Sequence, residues 1–120
     1  MIQEETIIDA WIQHPTPEML GHEMFDSLRR WMGIEELPEE IPLELTVGAL
    51  DAAGIDRAML SAWWGPGGAL ISNRQVAEIV EEHPDRFTGI ASVDISRPVE
   101  AVRQLRHWVE DGGFRGVRIL

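Results

Sequence analysis

The chain has 120 residues, 44% hydrophobic and 26% charged, which is the balance of one globular domain and not of a disordered segment. Asp and Glu number 21 against 10 Lys and Arg, a net charge of −11 that repels phosphate backbones and anionic lipid, so neither nucleic acid nor a membrane surface is an expected partner. No Cys is present, which excludes disulfides, zinc knuckles and thiol catalysis.

No apolar run approaches the ~20 residues of a membrane span. The start, Met1-Ile2-Gln3-Glu4-Glu5, is acidic, the opposite of a secretory signal. A cytoplasmic location is the expectation.

Thr6 to Ile12 is rich in β-formers and stops before Pro15 and Pro17, so a first strand is predicted there. Thr16 is placed to cap a helix with Pro17 in its first turn. Met24, Phe25, Leu28, Trp31 and Met32 share one helical face, and Gly33 ends the helix. Ile34 to Pro42 carries Pro38, Pro42 and four Glu, which makes it a connector. A second helix spans Leu43 to Ala53, with Leu43, Val47 and Leu50 on one side and Gly54 as its stop.

Arg57 to Ser61 reads as a buried strand. Trp63-Trp64-Gly65-Pro66-Gly67-Gly68 reads as a loop, because of its three Gly and one Pro. Ser72 and Gln75 fit a capping box, followed by the apolar stripe Val76, Ile79 and Val80. Phe87 to Val93 is the third strand. Ser96 and Pro98 open a last helix whose buried face is Ala101, Val102, Leu105, Trp108 and Val109, closed by Gly112-Gly113. Arg115 to Leu120 is the fourth strand.

Arg57, Arg86 and Arg115 stand at successive strand entrances, 29 residues apart each time. About 30 residues is one strand-helix unit of a parallel sheet. Continuous apolar strands are covered on both faces. The fold class is therefore α/β: four parallel strands with helices outside and one helix inserted after strand 1, in a single domain over 1–120.

From Leu50 onward specific motifs follow in order. Ala53-Gly54-Ile55-Asp56-Arg57-Ala58-Met59-Leu60, the stretch Asn73 to Asp94 and Gly113-Phe114-Arg115-Gly116-Val117-Arg118 resemble successive units of the amidohydrolase-related family of hydrolases and decarboxylases. The resemblance implies a (β/α)₈ barrel of TIM type and a metal-dependent hydrolysis or decarboxylation of a small carboxylated or cyclic substrate. Such barrels take roughly 250 residues, and this chain runs only through strand 4. Residues 1–120 are thus expected to be the N-terminal half of a larger barrel, inactive alone, or a half-barrel that pairs with another copy. A non-catalytic α/β module for ligand binding or oligomerisation is the alternative.

The resemblance also implies a divalent metal, zinc or manganese, held by paired His on the first strand. Here Trp11 and Gln13 stand at those places. Indole nitrogen offers a metal no lone pair, and Gln is a weak neutral donor. His14 becomes a ligand if the strand bulges by one residue; otherwise it is a loop residue bonded locally.

Asp9 shares the parity of Trp11 and Gln13 and is expected to point into the barrel, as a ligand contact or as a carboxylate satisfied by an amide or Arg. Trp11, Trp63 and Trp64 fall at strand tips, where a barrel opens its active site. They form either an aromatic wall for a planar substrate or packing for the loop. Asp94, past the third strand, is a substrate contact or a helix cap. Gly65 to Gly68 lacks the Lys and Ser/Thr of a phosphate loop and reads as a mobile rim loop. His22, His83 and His107 are less promising, since no two His have the i, i+4 spacing of a helical metal pair.

Overall fold

A computed structural model describes residues 5–120; Met1, Ile2, Gln3 and Glu4, the bulk of the acidic start, lie outside the described residues. Strand β1 is Ile8–Ile12. Then come α1, Pro17–Gly21, α2, Asp26–Met32, and α3, Leu43–Ala52. Strands β2, Arg57–Ser61, β3, Trp63–Gly65, and β4, Gly68–Ile71, lead to α4, Asn73–Glu82. The chain continues through β5, Phe87–Ser92, α5, Pro98–Arg106, and β6, Gly116–Arg118.

The main sheet has the order β1-β2-β5-β6, and every pairing in it is parallel. All four strands therefore end at the same rim. Ala58, Leu60, Phe87 and Ala91 alternate onto one face and bury against Leu50, Val76 and Phe114 on the helix side. The other face lines the concave side. Across the concave side the Arg118 guanidinium, on β6, stands 5.0 Å from the centre of the Trp11 ring, on β1. The sheet is a curled, unclosed half-barrel with its helices outside, the architecture of the first half of a TIM barrel.

The Arg repeat works at the opposite end. Arg57 donates to the carbonyls of Asp85 (2.7 Å) and Pro84 (3.3 Å), stitching the entrance of β2 to that of β5. Arg86 returns the stitch to the carbonyls of Asp56 (2.8 Å) and Ile55 (3.0 Å) and pairs with Asp51 at 2.8 Å. Arg57 and Arg86, two members of the 29-residue series, thus form a seam at the strand entrances, remote from the rim.

Local signals explain the helix ends. Thr16 accepts from the Met19 amide at 3.0 Å and donates to the Leu70 carbonyl at 2.6 Å, so one hydroxyl caps α1 and ties it to β4. The capping box of α4 is complete: Ser72 Oγ accepts from the Gln75 amide (3.0 Å), and Gln75 Oε1 accepts from the Ser72 amide (2.8 Å). Gly54 takes φ +71° just past α3, the left-handed turn that only glycine adopts freely.

Three expectations are corrected. The inserted helix is not continuous. His22 is extended (φ −67°, ψ 143°), which separates α1 from a short 3-10 turn at Glu23–Phe25 and from α2. Met24, Leu28, Trp31 and Met32 of the predicted apolar face are all exposed, Trp31 at 85%. The Trp-Gly segment is not a loop but an antiparallel hairpin, β3–β4, turning at Pro66-Gly67. Buried Leu70 and Ile71 anchor its return strand, and that apolar burial outweighs the glycines. The last helix widens to a π-turn at His107–Asp111. Ala101, Leu105 and Trp108 face the core, while Val102 and Val109 are exposed.

Candidate functional site

The rim is made by the strand ends and the residues just past them: Gln13 after β1, the β3–β4 hairpin after β2, Asp94 after β5, and Arg118 closing β6. Strand β1 pairs Asp9 with Ala58 and Ile12 with Leu60, so three steps on β1 match two on β2. This is the one-residue bulge on which recruitment of His14 depends. It also corrects the straight alternation expected for Asp9, Trp11 and Gln13. Asp9 Oδ1 turns back to accept from the Trp11 amide at 3.0 Å, and Trp11, 63% exposed, lies on the concave side.

His14 is buried, and both ring nitrogens have protein partners. Nδ1 is 2.7 Å from Thr46 Oγ1, and Nε2 is 2.9 Å from the Ile41 carbonyl. A metal at either nitrogen would replace one of these bonds. Among the described residues no group of three or more His, Asp or Glu gathers to hold a metal ion. With Trp11 and Gln13 in the usual ligand places, the donor set present does not fit a divalent cation. The other three histidines serve local structure: His22 Nδ1 accepts from the Met24 amide, His83 packs edge-on against Phe87 at 6.2 Å, and His107 faces Asp111 at 3.3 Å on the surface.

The hairpin sets its two indoles on different sides. Trp63 packs edge-on against Phe25 at 5.8 Å and lies 4.3 Å from the Arg118 guanidinium. Trp64 lines a cleft of about 280 Å³ with Asn73, Ser92, Asp94, Arg97 and Glu100. The cleft is held by a three-residue clamp. Asn73 donates to the Ser92 carbonyl (2.9 Å) and accepts from its amide (2.8 Å), and Ser92 Oγ accepts from the Trp64 amide (2.9 Å). Asp94 accepts from the Ser96 hydroxyl (2.6 Å) and amide (3.0 Å), and these bonds, the hydroxyl first, hold its carboxyl below the usual range.

The structure therefore brings together Trp64 and Asp94 in one cleft, and Trp11 and Trp63 around Arg118. Asp9, Gln13 and His14 join neither group. Sequence reasoning missed Asn73, Ser92 and Arg118. Only Arg118 carried a signal, as a cation inside an otherwise apolar strand.

The family model described as Amidohydrolase matches residues 8–120. The chain belongs to the amidohydrolase family. No curated protein matches it. Among solved structures, the uncharacterized TIM-barrel protein Bb4693 from Bordetella bronchiseptica is similar at 27% identity and TM-score 0.69, over 96% of this chain and 43% of that one. The 5-carboxyvanillate decarboxylase of Novosphingobium aromaticivorans, with bound manganese, superposes with TM-score 0.67 at 20% identity, over 95% of this chain and 41% of its own. The 2,6-dihydroxybenzoate decarboxylase from Rhizobium gives 0.62 at 20%, over 95% and 38%. At those last two identities the likeness is one of fold. The chain spans less than half the length of each. Among the described residues no helix is long and apolar enough to cross a membrane.

Proposed function

We propose that this chain supplies the first four strands, and with them one wall of the active site, of a barrel enzyme that hydrolyses or decarboxylates a small carboxylated or cyclic substrate. The supporting observation is that Trp11, Trp63, Trp64 and Asp94 all stand on the rim where parallel barrels carry their chemistry, Trp11 with Trp63 about Arg118 and Trp64 with Asp94 in the cleft. Trp11 and Trp63 stack against a planar substrate. Asp94 and Trp64 contact a polar substituent that reaches into their cleft, and Asp9 and Gln13 stand on the β1 side. The similarity to two aromatic-acid decarboxylases agrees with such a substrate.

The test is release of carbon dioxide from hydroxybenzoates, or opening of a cyclic ester, by the barrel that carries this segment, with Trp63→Ala and Asp94→Asn beside the native protein. Each variant is expected to raise KM about tenfold, the worth of one lost packing or charged contact. Unchanged kinetics in both overturn the reading. Residues 1–120 alone are expected to turn over nothing, since they hold no complete constellation.

A second reading, a non-catalytic module for ligand binding or self-assembly, is favoured by the donor set at Trp11, Gln13 and His14, which does not fit a metal. Elemental analysis separates the two: stoichiometric zinc or manganese on the purified protein favours the enzyme, and metal-free protein without turnover favours the module.

A further inference from the structure

Arg118 is the last residue of β6, beside Ser92 in register on the rim. Its guanidinium carbon lies 4.3 Å from the centre of the Trp63 ring and 5.0 Å from that of Trp11. A guanidinium over an indole ring is held by its charge, and its N–H groups still call for acceptors. Arg118 Nη1 is buried and has no hydrogen-bond partner, and the indole Nε1 of the touching Trp63 is buried and unpartnered as well, as is that of Trp108 on the helix side. More than nine in ten buried polar groups in native structures are paired. Here two unpaired donors sit on two side chains in contact.

The chain holds 21 acidic residues, yet among the described residues none forms a salt bridge with Arg118. Burial lowers the guanidinium pKa, as it does for a cation lacking a counter-charge. Both open groups are donors, so the missing partner is an acceptor, and an anionic one beside a cation. The exposed ring of Trp11 offers an apolar face to the body of the same ligand.

We propose that Arg118 is a carboxylate anchor, which binds a planar organic acid edge-on through its N–H fork while the acid's ring lies along Trp11 and Trp63. The assignment rests on the enzyme reading for its substrate class but makes a claim about binding alone.

The experiment titrates the protein with benzoate and with the neutral isostere benzamide, following indole fluorescence and the Trp63 indole N–H resonance. Benzoate is expected to bind about 10- to 100-fold more tightly than benzamide, the worth of a charge-assisted fork, and to shift the Trp63 resonance. Arg118→Met abolishes that preference, while Arg118→Lys, which keeps the charge and loses the fork, retains part of it and controls for folding. Equal affinity for the two probes, an undiminished preference in both variants, or no binding of benzoate by the native protein overturns the anchor. Benzoate selectivity in a barrel that carries this segment but neither decarboxylates a hydroxybenzoate nor opens a cyclic ester upholds the anchor and removes the enzyme reading instead.

Discussion

Gly89 is the residue at which the helix side of the sheet has least room. A Cβ built there would stand 2.8 Å from Cε1 of Phe114, a ring only 1% exposed and backed by Trp108 at 5.3 Å between ring centres. A close-packed ring cannot step aside as a flexible chain end does. Gly89→Ala is expected to destabilise the fold by about 1–3 kcal/mol, read as a lower denaturation midpoint at unchanged slope; an unaltered midpoint would refute this packing account. The sequence marks Gly89 only as a glycine inside a strand, since its neighbour Phe114 is distant in the chain. Arg118 presents the same difficulty: its charge is visible in the sequence, but the two rings that flank it arrive from β1 and β3.

At the scale of elements, short-range chemistry was the legible part. Arg57 to Ser61 forms a strand with those limits because its apolar run is bounded by turns. The Ser72-Gln75 box opens α4 where the spacing requires. Ser72→Ala removes one side of it and is expected to cost about 1 kcal/mol, with Gln75→Ala costing less; thermal melts of the two variants check the order. Two elements misled. The hairpin was hidden because Gly and Pro, which argue for a loop on local grounds, are outweighed by burial of Leu70 and Ile71 and by the Trp64 amide bonding to Ser92. The helix through Trp31 was overdrawn because an apolar spacing carries no sign of the break at His22.

The whole molecule is dominated by what its curvature leaves uncovered. Strands β1 and β6 each have one neighbour, so both present a free edge. Beside β6, an apolar groove of about 230 Å³ is lined by Val93, Val102, Leu105, Val117 and Ile119, among others. Surfaces of this kind favour association. Residues 1–120 on their own are expected to sediment as a concentration-dependent mixture, and Val102→Lys with Ile119→Lys to shift that mixture toward monomer. A stable, well-ordered monomer of the unmodified chain at all concentrations would contradict the expectation.

Legible in the amino-acid order was the repeating unit: the last three parallel strands about 30 residues apart with an Arg at the entrance of each, helices outside, and a first strand poor in metal donors. These come from periodicity and residue chemistry, which act over a few residues. Tertiary structure alone decided which rim residues meet. Trp11, Trp63 and Arg118 converge because the sheet curls, and Trp64 and Asp94 share a cleft because Asn73 and Ser92 fasten a helix, a strand end and a hairpin together. Curvature and long-range hydrogen bonds depend on pairs far apart in the chain, and no local pattern encodes them.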